Sequence, residues 1–330
     1  MRLKLPSFVL AVLVALATAG VAAASNGGFA PVRPASPNAS HTTTAYYVIL
    51  AFTSAIFLIV EGLLVVFIIK YRSGKRSRDV DGAQVHGHTR LEVIWTVIPV
   101  LVLCAIGIVV FLELPKIDSA PAAARTIPIT VEGHQFYWQF DYPNGARSIG
   151  TLHVPVGAVA DLKVVSPDVI HSWWIPALGG KIQAIPGRVN HTWFEATKAG
   201  SYQGQCAELC GVFHAGMTAT VVAGTEAEYR TFVTRTTRVT LGEQEWSGVC
   251  ATCHGNLGQG GYGPAIANST LLTQPVALDD IVRNGFDTPA RPGAMPPVGS
   301  TWTNAQMAAL NAYVKRHIYK PAPAGATSGG

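Results

Sequence analysis

Two long apolar runs near the N-terminus, followed by a more polar remainder, dominate the hydrophobic pattern of this chain. Residues 45–69 contain one charged residue, Glu61, and residues 93–112 contain none. Each run reaches the length of about 20 residues that an α-helix needs to cross the hydrocarbon core of a membrane. The pattern predicts a hairpin of two transmembrane helices within residues 43–115.

The segment between the two runs is basic. Its sequence, KYRSGKRSR, places five cationic side chains directly after the first helix: Lys70, Arg72, Lys75, Arg76 and Arg78. Lys and Arg accumulate in the cytoplasmic loops of membrane proteins, so this loop is predicted to lie in the cytoplasm. The chain would then cross the membrane more than once, and everything after Lys116 would face outward.

Residues 1–24 have the pattern of a secretory signal peptide. Arg2 and Lys4 precede an apolar stretch at 8–17, and small residues lead to a cleavage site after Ala24. The alternative is a short additional membrane helix, although about ten strongly apolar residues are too few to span a bilayer. Residues 25–42 are rich in Pro, Ser, Asn and Thr and are predicted to form a flexible outer segment.

Beyond the hairpin the pattern becomes an alternation of apolar and polar positions. Ile127, Ile129 and Val131 alternate, and residues 152–156 and 162–165 have the composition of further short strands. Gly- and Pro-containing turns separate these strands. A small β-sandwich or barrel over residues 116–224 is the prediction.

The C-terminal part is predicted to be helical. Thr225 and Glu228 fit a capping box that opens a short helix, within a linker over residues 225–242. The amphipathic stretch Asn304–Ile318 predicts the last helix of an all-α domain over residues 243–320. Residues 321–330, rich in Pro, Ala and Gly, are predicted to be disordered.

Composition and charge agree with a membrane protein. The chain is 49% hydrophobic and only 13% charged, with a net charge of +5. Residues 1–115 hold nine Lys or Arg against five Asp or Glu, so the basic excess belongs to the membrane region. We therefore predict contact with lipid and no nucleic-acid partner.

The densest group of metal-binding residue types lies between Cys206 and Met217. Cys210 and His214 fall within the same twelve residues, and a second imidazole, His171, lies 35 residues before Cys206. Soft thiolate and thioether ligands combined with imidazole favour copper over hard cations. The second Cys supplies enough sulfur to bridge two copper ions, with one His for each.

Three other interpretations of these residues remain open, and one of them is that His171 is an ordinary polar residue. Cys206 and Cys210 could form a disulfide, because the domain is predicted to be exported. The Cys and His residues could instead bind zinc, although a structural zinc site has no use for Met217.

A second constellation, Cys250-Ala-Thr-Cys253-His254, matches the C-x-x-C-H signature for covalent attachment of c-type haem. Met295, in the loop Gly-Ala-Met-Pro-Pro, is suited to present a thioether to the other face of the iron. Ligation by His and Met raises the reduction potential of a haem. The rival, Met307, lies within the predicted last helix and is interpreted as a core residue.

The copper loop resembles the binuclear copper loop of cytochrome c oxidase subunit II. Other motifs of that family follow in order: the helical hairpin, GHQFYW at 133–138, DVIHSW at 168–173 and AIPGR at 184–188. The resemblance implies a cupredoxin-like β-sandwich with a mixed-valence two-copper centre. Residues 243–320 resemble a class I cytochrome c, and the combination is similar to the caa3-type oxidases of bacteria.

The resemblance also implies individual roles. Cys206 and Cys210 would bridge the coppers, and the remaining implied ligands are His171, His214, Met217 and the backbone carbonyl of Glu208. The side chain of Glu208 would also reach a magnesium ion at the interface with subunit I. Glu92 matches a family glutamate near the mouth of a proton-uptake path.

One position departs from the family. The aromatic run after His-Gln begins there with Trp, which is thought to receive electrons from a separate cytochrome c, whereas this chain has Phe136. Trp138 and Trp173 are the other candidates for electron transfer. We expect the fused haem to be the main entrance for electrons, with the surface around Phe136 facing it.

The expected function is that of the subunit through which electrons enter a terminal oxidase in the bacterial plasma membrane, with both metal domains on the periplasmic face. The implied partners are subunit I, subunit III and an external donor, either cytochrome c or a bc complex. The alternatives are a freestanding redox carrier or nitrous-oxide-reductase-like copper protein, and a quinol-oxidase scaffold subunit. The hairpin argues against the first alternative and the intact ligand positions argue against the second.

Overall fold

The computed structural model describes residues 31–71, 84, 86–122, 125–236, 241–287 and 295–321. The predicted signal peptide, the basic loop beyond Tyr71 and the tail beyond Pro321 lie outside the described residues. The chain divides into two compact units, Ser40–Ser119 and the remainder.

The first unit contains two long helices, α1 (Pro37–Tyr71) and α2 (Thr89–Asp118). Their most apolar windows have mean hydropathies of 2.6 and 2.9, and the apolar side chains there are exposed. Helices of 35 and 30 residues exceed the length needed to cross a membrane. His41 and Glu113 form a hydrogen bond of 2.7 Å between them. The prediction of two membrane helices is confirmed.

The flexible segment predicted over residues 25–42 is wrong from residue 31 onward. Ala35 is buried, and its carbonyl accepts a hydrogen bond from the backbone N–H of Thr197. Asn38 is also buried and donates to the carbonyl of Trp193. The polar composition of the segment predicted a flexible, solvated chain. Its polar groups instead form hydrogen bonds with the β domain.

The second unit begins with a β domain of ten strands. They are β1 (Thr126–His134), β2 (Tyr137–Asp141), β3 (Arg147–Ile149), β4 (Thr151–Pro155), β5 (Val159–Val165), β6 (His171–Trp173), β7 (Ile182–Ala184), β8 (Asn190–Glu195), β9 (Gly200–Gln205) and β10 (Thr218–Gly224).

Three sheets surround one core in this domain. Their strand orders are β3-β2-β1-β5-β8, β4-β10-β9 and β6-β7. The pairs β1–β5 and β4–β10 are parallel and the others are antiparallel. Ile129, Val131 and Leu162 alternate into the core as their period of two requires. The predicted cupredoxin-like sandwich is confirmed.

The residues that follow β10 belong to this β domain as well. Helix α3 (Glu226–Thr236) opens at the predicted capping box, since the side chains of Thr225 and Glu228 bond to each other's backbone N–H. Tyr229 and Val233 on α3 are buried in the β-domain core. The linker predicted over residues 225–242 therefore has a folded first part, and residues 237–240 lie outside the described residues.

The last domain is helical, as predicted. Its regular elements are α4 (Leu241–Glu245), a π-helical turn (Trp246–Cys250), α5 (Ala251–His254), a 3-10 turn (Thr270–Thr273), α6 (Pro275–Asn284), α7 (Asn304–Tyr313) and a second π-helical turn (Val314–Ile318). Gly242 in α4 lies directly against the backbone of Ala309 in α7. This close crossing joins the two ends of the domain.

Candidate metal and haem centres

Three candidate copper ligands come from two separate places in the β domain. His171 begins β6, and Cys206 and Cys210 lie in the loop after β9. All three side chains are buried, and their ligand atoms lie within 4.8 Å of one another. The fold thus brings together residues that are 35 positions apart in the chain.

The same loop carries the remaining predicted ligands. A 3-10 turn (His214–Gly216) places His214 Nδ1 3.5 Å from Cys210 Sγ. Met217, fully buried before β10, has its sulfur 3.8 Å from the same Sγ. The carbonyl of Glu208 lies 3.2 Å from Cys206 Sγ. The other four predicted ligands therefore lie next to one or the other of the two cysteine sulfurs.

The two sulfurs are 3.9 Å apart. A disulfide bond is about 2.05 Å long, so the cysteines are present as free thiols. This distance leaves room for a metal ion that binds both sulfurs.

Asp168 supports this site, although sequence reasoning assigned it no role. Its Oδ1 lies 2.8 Å from Nε2 of His171, and this contact turns Nδ1 of the ring toward Cys206 Sγ at 3.9 Å. The other oxygen, Oδ2, accepts a hydrogen bond from the backbone N–H of Gln135. A carboxylate that orients a metal-binding histidine is a common supporting feature of metal sites. The position of Asp168 three residues before His171 is the feature of the sequence that could have indicated this role.

The two thiols have different acidities. Burial raises the pKa of Cys206, but hydrogen bonds with His171 and with the backbone of Glu208 and Ser172 outweigh it and bring the pKa to about 7. Burial and the neighbouring charge of Cys206 raise the pKa of Cys210. A bound cation would stabilise both thiolates.

The aromatic candidates lie beside the copper loop. The ring of Trp138 contacts His171 with 6.0 Å between centroids and contacts Trp173 at 5.3 Å. Phe136 is half-buried and its ring lies 5.7 Å from that of Phe213.

The predicted haem-attachment residues lie on the helix that opens the last domain. Cys250 ends the first π-helical turn, and Cys253 and His254 belong to α5. Nδ1 of His254 lies 2.8 Å from the carbonyl of Pro264, which leaves Nε2 as the ring nitrogen available to iron. Gly263 lies so close to this ring that a Cβ there would be 3.0 Å from its Cε1.

The two methionine candidates differ in position. Met295 is half-buried and packs against the hydrophobic cluster that contains Cys250. Met307 is only 1% exposed within α7 and belongs to that cluster as a core residue. Residues 288–294, directly before Met295, lie outside the described residues.

Glu92 occupies the first turn of α2, where its Oε1 accepts a hydrogen bond from the backbone N–H of His88. This contact caps the helix. The proton-path role of Glu92 stays a prediction.

Three protein-family models match successive parts of the chain. They are described as cytochrome c oxidase subunit II, transmembrane domain (residues 24–112), cytochrome c oxidase subunit II, periplasmic domain (149–224), and cytochrome c oxidase, cbb3-type, subunit III (237–314).

Individual proteins that are similar to this chain carry the same family name. Cytochrome c oxidase subunit 2 of Alkalihalophilus pseudofirmus is 37% identical over 227 residues, which cover 64% of this chain and 66% of the relative. The probable cytochrome c oxidase subunit 2 of Rickettsia bellii is 33% identical, and the match covers 64% of this chain and 84% of the relative. The chain belongs to the cytochrome c oxidase subunit II family.

A solved structure, the periplasmic domain of subunit II of cytochrome oxidase of Bradyrhizobium japonicum, is similar to part of this subunit II. It is 35% identical, with a TM-score of 0.34, and the match covers 36% of this chain and 98% of that one. The match to a separate cytochrome family model agrees with the predicted fusion of subunit II to a cytochrome c domain.

Membership in the family indicates which cofactors the chain binds and where in the cell it lies. A subunit II with these two external domains binds copper and haem, is anchored in the membrane by two helices and works with other oxidase subunits. The donor set fits this assignment, because two thiols, two imidazoles and a thioether are ligands that copper prefers. The free Nε2 of His254 fits ligation of haem iron.

Proposed function

We propose that this subunit II passes electrons from an external donor through its c-type haem and a binuclear copper centre to the haem of subunit I, where oxygen is reduced to water. The observation that carries the proposal is the presence of the copper-ligand cluster and the C-x-x-C-H helix in one folded unit of the chain. Subunit III and a donor, either cytochrome c or a bc complex, complete the proposed partners.

The proposed copper site uses the six residues of the cluster. Cys206 and Cys210 would hold the two copper ions together through their thiolates, and His171 and His214 would each supply an imidazole ligand. Met217 and the carbonyl of Glu208 would be weaker ligands. The buried position of the two sulfurs and of Met217 excludes water from the centre, so little solvent has to reorganise when its charge changes.

Three residues at the edge of the site are proposed to face other partners. The side chain of Glu208 is exposed and accepts a hydrogen bond from Gln183 at 3.3 Å, which leaves carboxylate lone pairs for a magnesium ion at the subunit I interface. Leu209 and Val212 in the same loop are 79% and 84% exposed. Apolar side chains in such a position favour burial against another subunit.

In the last domain the chain's own residues would hold the haem. Cys250 and Cys253 anchor it covalently, while the carbonyl of Pro264 fixes the orientation of His254. Met295 would supply the second protein ligand of the iron from its thioether sulfur. When bound, the haem supplies reversible one-electron chemistry at a potential raised by His/Met ligation.

Metal and haem analysis of the purified protein tests this function. We expect two coppers and one covalent haem per chain, and a delocalised copper EPR signal. Cys206→Ser or Cys210→Ser should abolish that signal, because one sulfur cannot bridge the pair, and Cys104→Ser is the matched control. One zinc and no copper in protein matured in its native host would refute the proposal.

The axial ligand is tested separately. Met295→Ala should leave the haem attached, because the thioether bonds do not depend on it, and should lower the reduction potential. Met307→Ala serves as the comparison. The assignment is wrong if only the Met307 variant lowers the potential.

A further inference from the structure

Tyr137 belongs to strand β2 of the copper-binding β domain but lies in the hydrophobic cluster of the haem domain. The alternation of the strand explains this position, because Trp138 and Phe140 point into the β-domain core. The ring of Tyr137 points to the opposite face, which would be open to water in an isolated domain. That face is buried because the haem domain covers it.

A buried hydrogen bond joins the two domains at this point. Nε1 of Trp302 donates to the hydroxyl of Tyr137 over 2.7 Å, and both side chains are no more than 5% exposed. Breaking such a bond without replacing it leaves a buried polar group unsatisfied, which is costly. The bond therefore fixes the position of the haem domain as well as stabilising it.

Two further contacts surround this bond. The ring of His134 stacks on that of Tyr137 with 4.6 Å between centroids, and its Nδ1 lies 3.2 Å from Oγ1 of Thr301. The side chain of Ile149 in β3 packs directly on Gly248, two residues before Cys250, where a Cβ would clash. The helix that carries the haem cysteines thus lies against the sheet that carries the copper-site aromatics.

The same residues connect the two metal-binding clusters. Trp302 shares the haem-domain cluster with Cys250, and Met295 packs against it. Tyr137 is linked through one peptide bond to Trp138, whose ring contacts His171. One hydrogen bond and a continuous run of covalent bonds therefore lead from the cluster that contains Cys250 to a residue in contact with a copper ligand. Electronic coupling falls less steeply through bonds than across gaps between atoms.

A second aromatic contact between the domains competes with this connection. Phe136 contacts Phe213, and Phe213 contacts Tyr262 of the haem domain with 5.4 Å between centroids. Tyr262, however, is 79% exposed, and these are ring contacts without a hydrogen bond between the domains. An exposed ring is held less firmly than the buried Tyr137–Trp302 pair.

We propose that the Tyr137–Trp302 hydrogen bond docks the haem domain on the copper domain and carries electrons between the two centres, through Trp138 to His171. The inference rests on the cofactors of the proposed function. In each transfer the haem iron is oxidised by one electron and the copper centre is reduced by the same electron. No bond forms or breaks, and Tyr137 and Trp302 hold the two domains together and pass the electron on without changing their own oxidation state.

Tyr137 keeps its proton throughout. Burial raises the pKa of its hydroxyl well above the ordinary value, against the smaller effect of the bond from Trp302. The hydroxyl therefore stays neutral at physiological pH, and the transfer needs no proton acceptor.

Two conservative variants of the full-length oxidase, Tyr137→Phe and Trp302→Phe, test the proposal, with Tyr262→Leu as the comparison. One measurement is the rate of electron transfer from haem to copper after photochemical reduction of the haem. The other is hydrogen–deuterium exchange of the backbone over residues 299–303. Copper and haem spectra and both reduction potentials are recorded for every variant, as a check on folding.

We expect Tyr137→Phe to slow the internal transfer and to lower exchange protection over 299–303 by roughly two- to tenfold, the range for one hydrogen bond. Spectra and potentials should stay unchanged, and Tyr262→Leu should affect neither measurement. Unchanged rate and protection in Tyr137→Phe, or slowing only in Tyr262→Leu, would overturn this inference and leave the proposed function intact. Missing copper or haem in the unsubstituted protein would instead refute the proposed function.

Discussion

At the scale of single residues, the copper cluster depends on groups that bind no metal themselves. Asp168 orients His171 through a bond of 2.8 Å, and Gln135 donates from its side chain to the carbonyl of Cys210 over 2.6 Å. These contacts fix the ligand atoms before any ion arrives. The site is therefore ordered when the protein folds, and metal binding does not have to supply the free energy of ordering it.

The contribution of Asp168 can be measured directly. Asp168→Asn keeps the shape but loses the charge, and we expect copper affinity to fall by about 10- to 100-fold. Competition titration with a copper chelator measures the change, and Asp161→Asn, on strand β5 opposite Trp193, is the control. Equal affinity in the two variants would contradict the role of Asp168.

Glu245 is a buried carboxyl in the haem domain, 1% exposed. Burial raises its pKa from 4.5 to about 8. Between these values the folded protein keeps a proton that the unfolded chain releases, so stability should fall as pH rises from about 4.5 to 8 and level off above. Glu245→Gln should remove this slope.

Thermal unfolding followed at the haem absorption band, at a series of pH values, measures this effect. Glu243→Gln, on the exposed side of the same helix, is the matched control and should keep the slope. A pH dependence that survives in Glu245→Gln would assign the slope to another group.

At the scale of elements, close packing of helices sets the limits of the haem domain. Gly242 in α4 lies against the carbonyl of Ala309 and Cβ of Tyr313, so any larger side chain would separate α4 from α7. Helix α7 itself begins with a complete capping box formed by Thr303 and Gln306. The cap fixes where the helix starts, and the glycine fixes how closely it crosses α4.

Gly242→Ala tests this crossing. Overpacking at a tight contact costs about 1–3 kcal/mol, so the unfolding temperature of the haem domain should fall while copper binding is unaffected. Gly180→Ala in the copper domain, where an added Cβ meets nothing within 4 Å, should have little effect. Calorimetry that shows equal changes for the two variants would argue against the close crossing.

At the scale of the whole molecule, charge and tethering both affect how a cytochrome haem reaches the copper domain. Residues 116–224 contain seven basic and seven acidic residues, and residues 243–330 contain five of each. Neither domain has the acidic excess that would steer a basic cytochrome to it. A covalently attached haem makes such steering unnecessary, because tethering raises its effective concentration.

Deletion of residues 243–330 should therefore preserve the copper spectrum and assembly of the complex while removing most turnover with the native donor. Oxygen consumption at physiological salt measures turnover, and full-length protein with Met307→Leu is the control for general damage. Near-normal turnover of the truncated complex would show that the fused haem is not the main entrance.

The sequence by itself determined the parts of this protein that depend on local pattern. Apolar runs long enough to cross a membrane, the alternation at Ile129 and Val131, the capping box at Thr225 and the C-x-x-C-H motif all act through neighbours in the chain. Each could be recognised without knowledge of the fold. The identities of the predicted copper ligands were recognisable for the same reason, since five of them fall within twelve residues.

The tertiary structure alone decided what depends on distant contacts. It showed that the polar residues around Ala35 bond to the β domain, that α3 packs into the copper-domain core, and that Asp168 orients His171. It also placed the side chain of Tyr137 in the hydrophobic cluster of the haem domain. The alternation of a strand does not indicate whether its outer face meets water or another domain. Burial and pairing across 165 positions, as between Tyr137 and Trp302, arise only when the chain has folded.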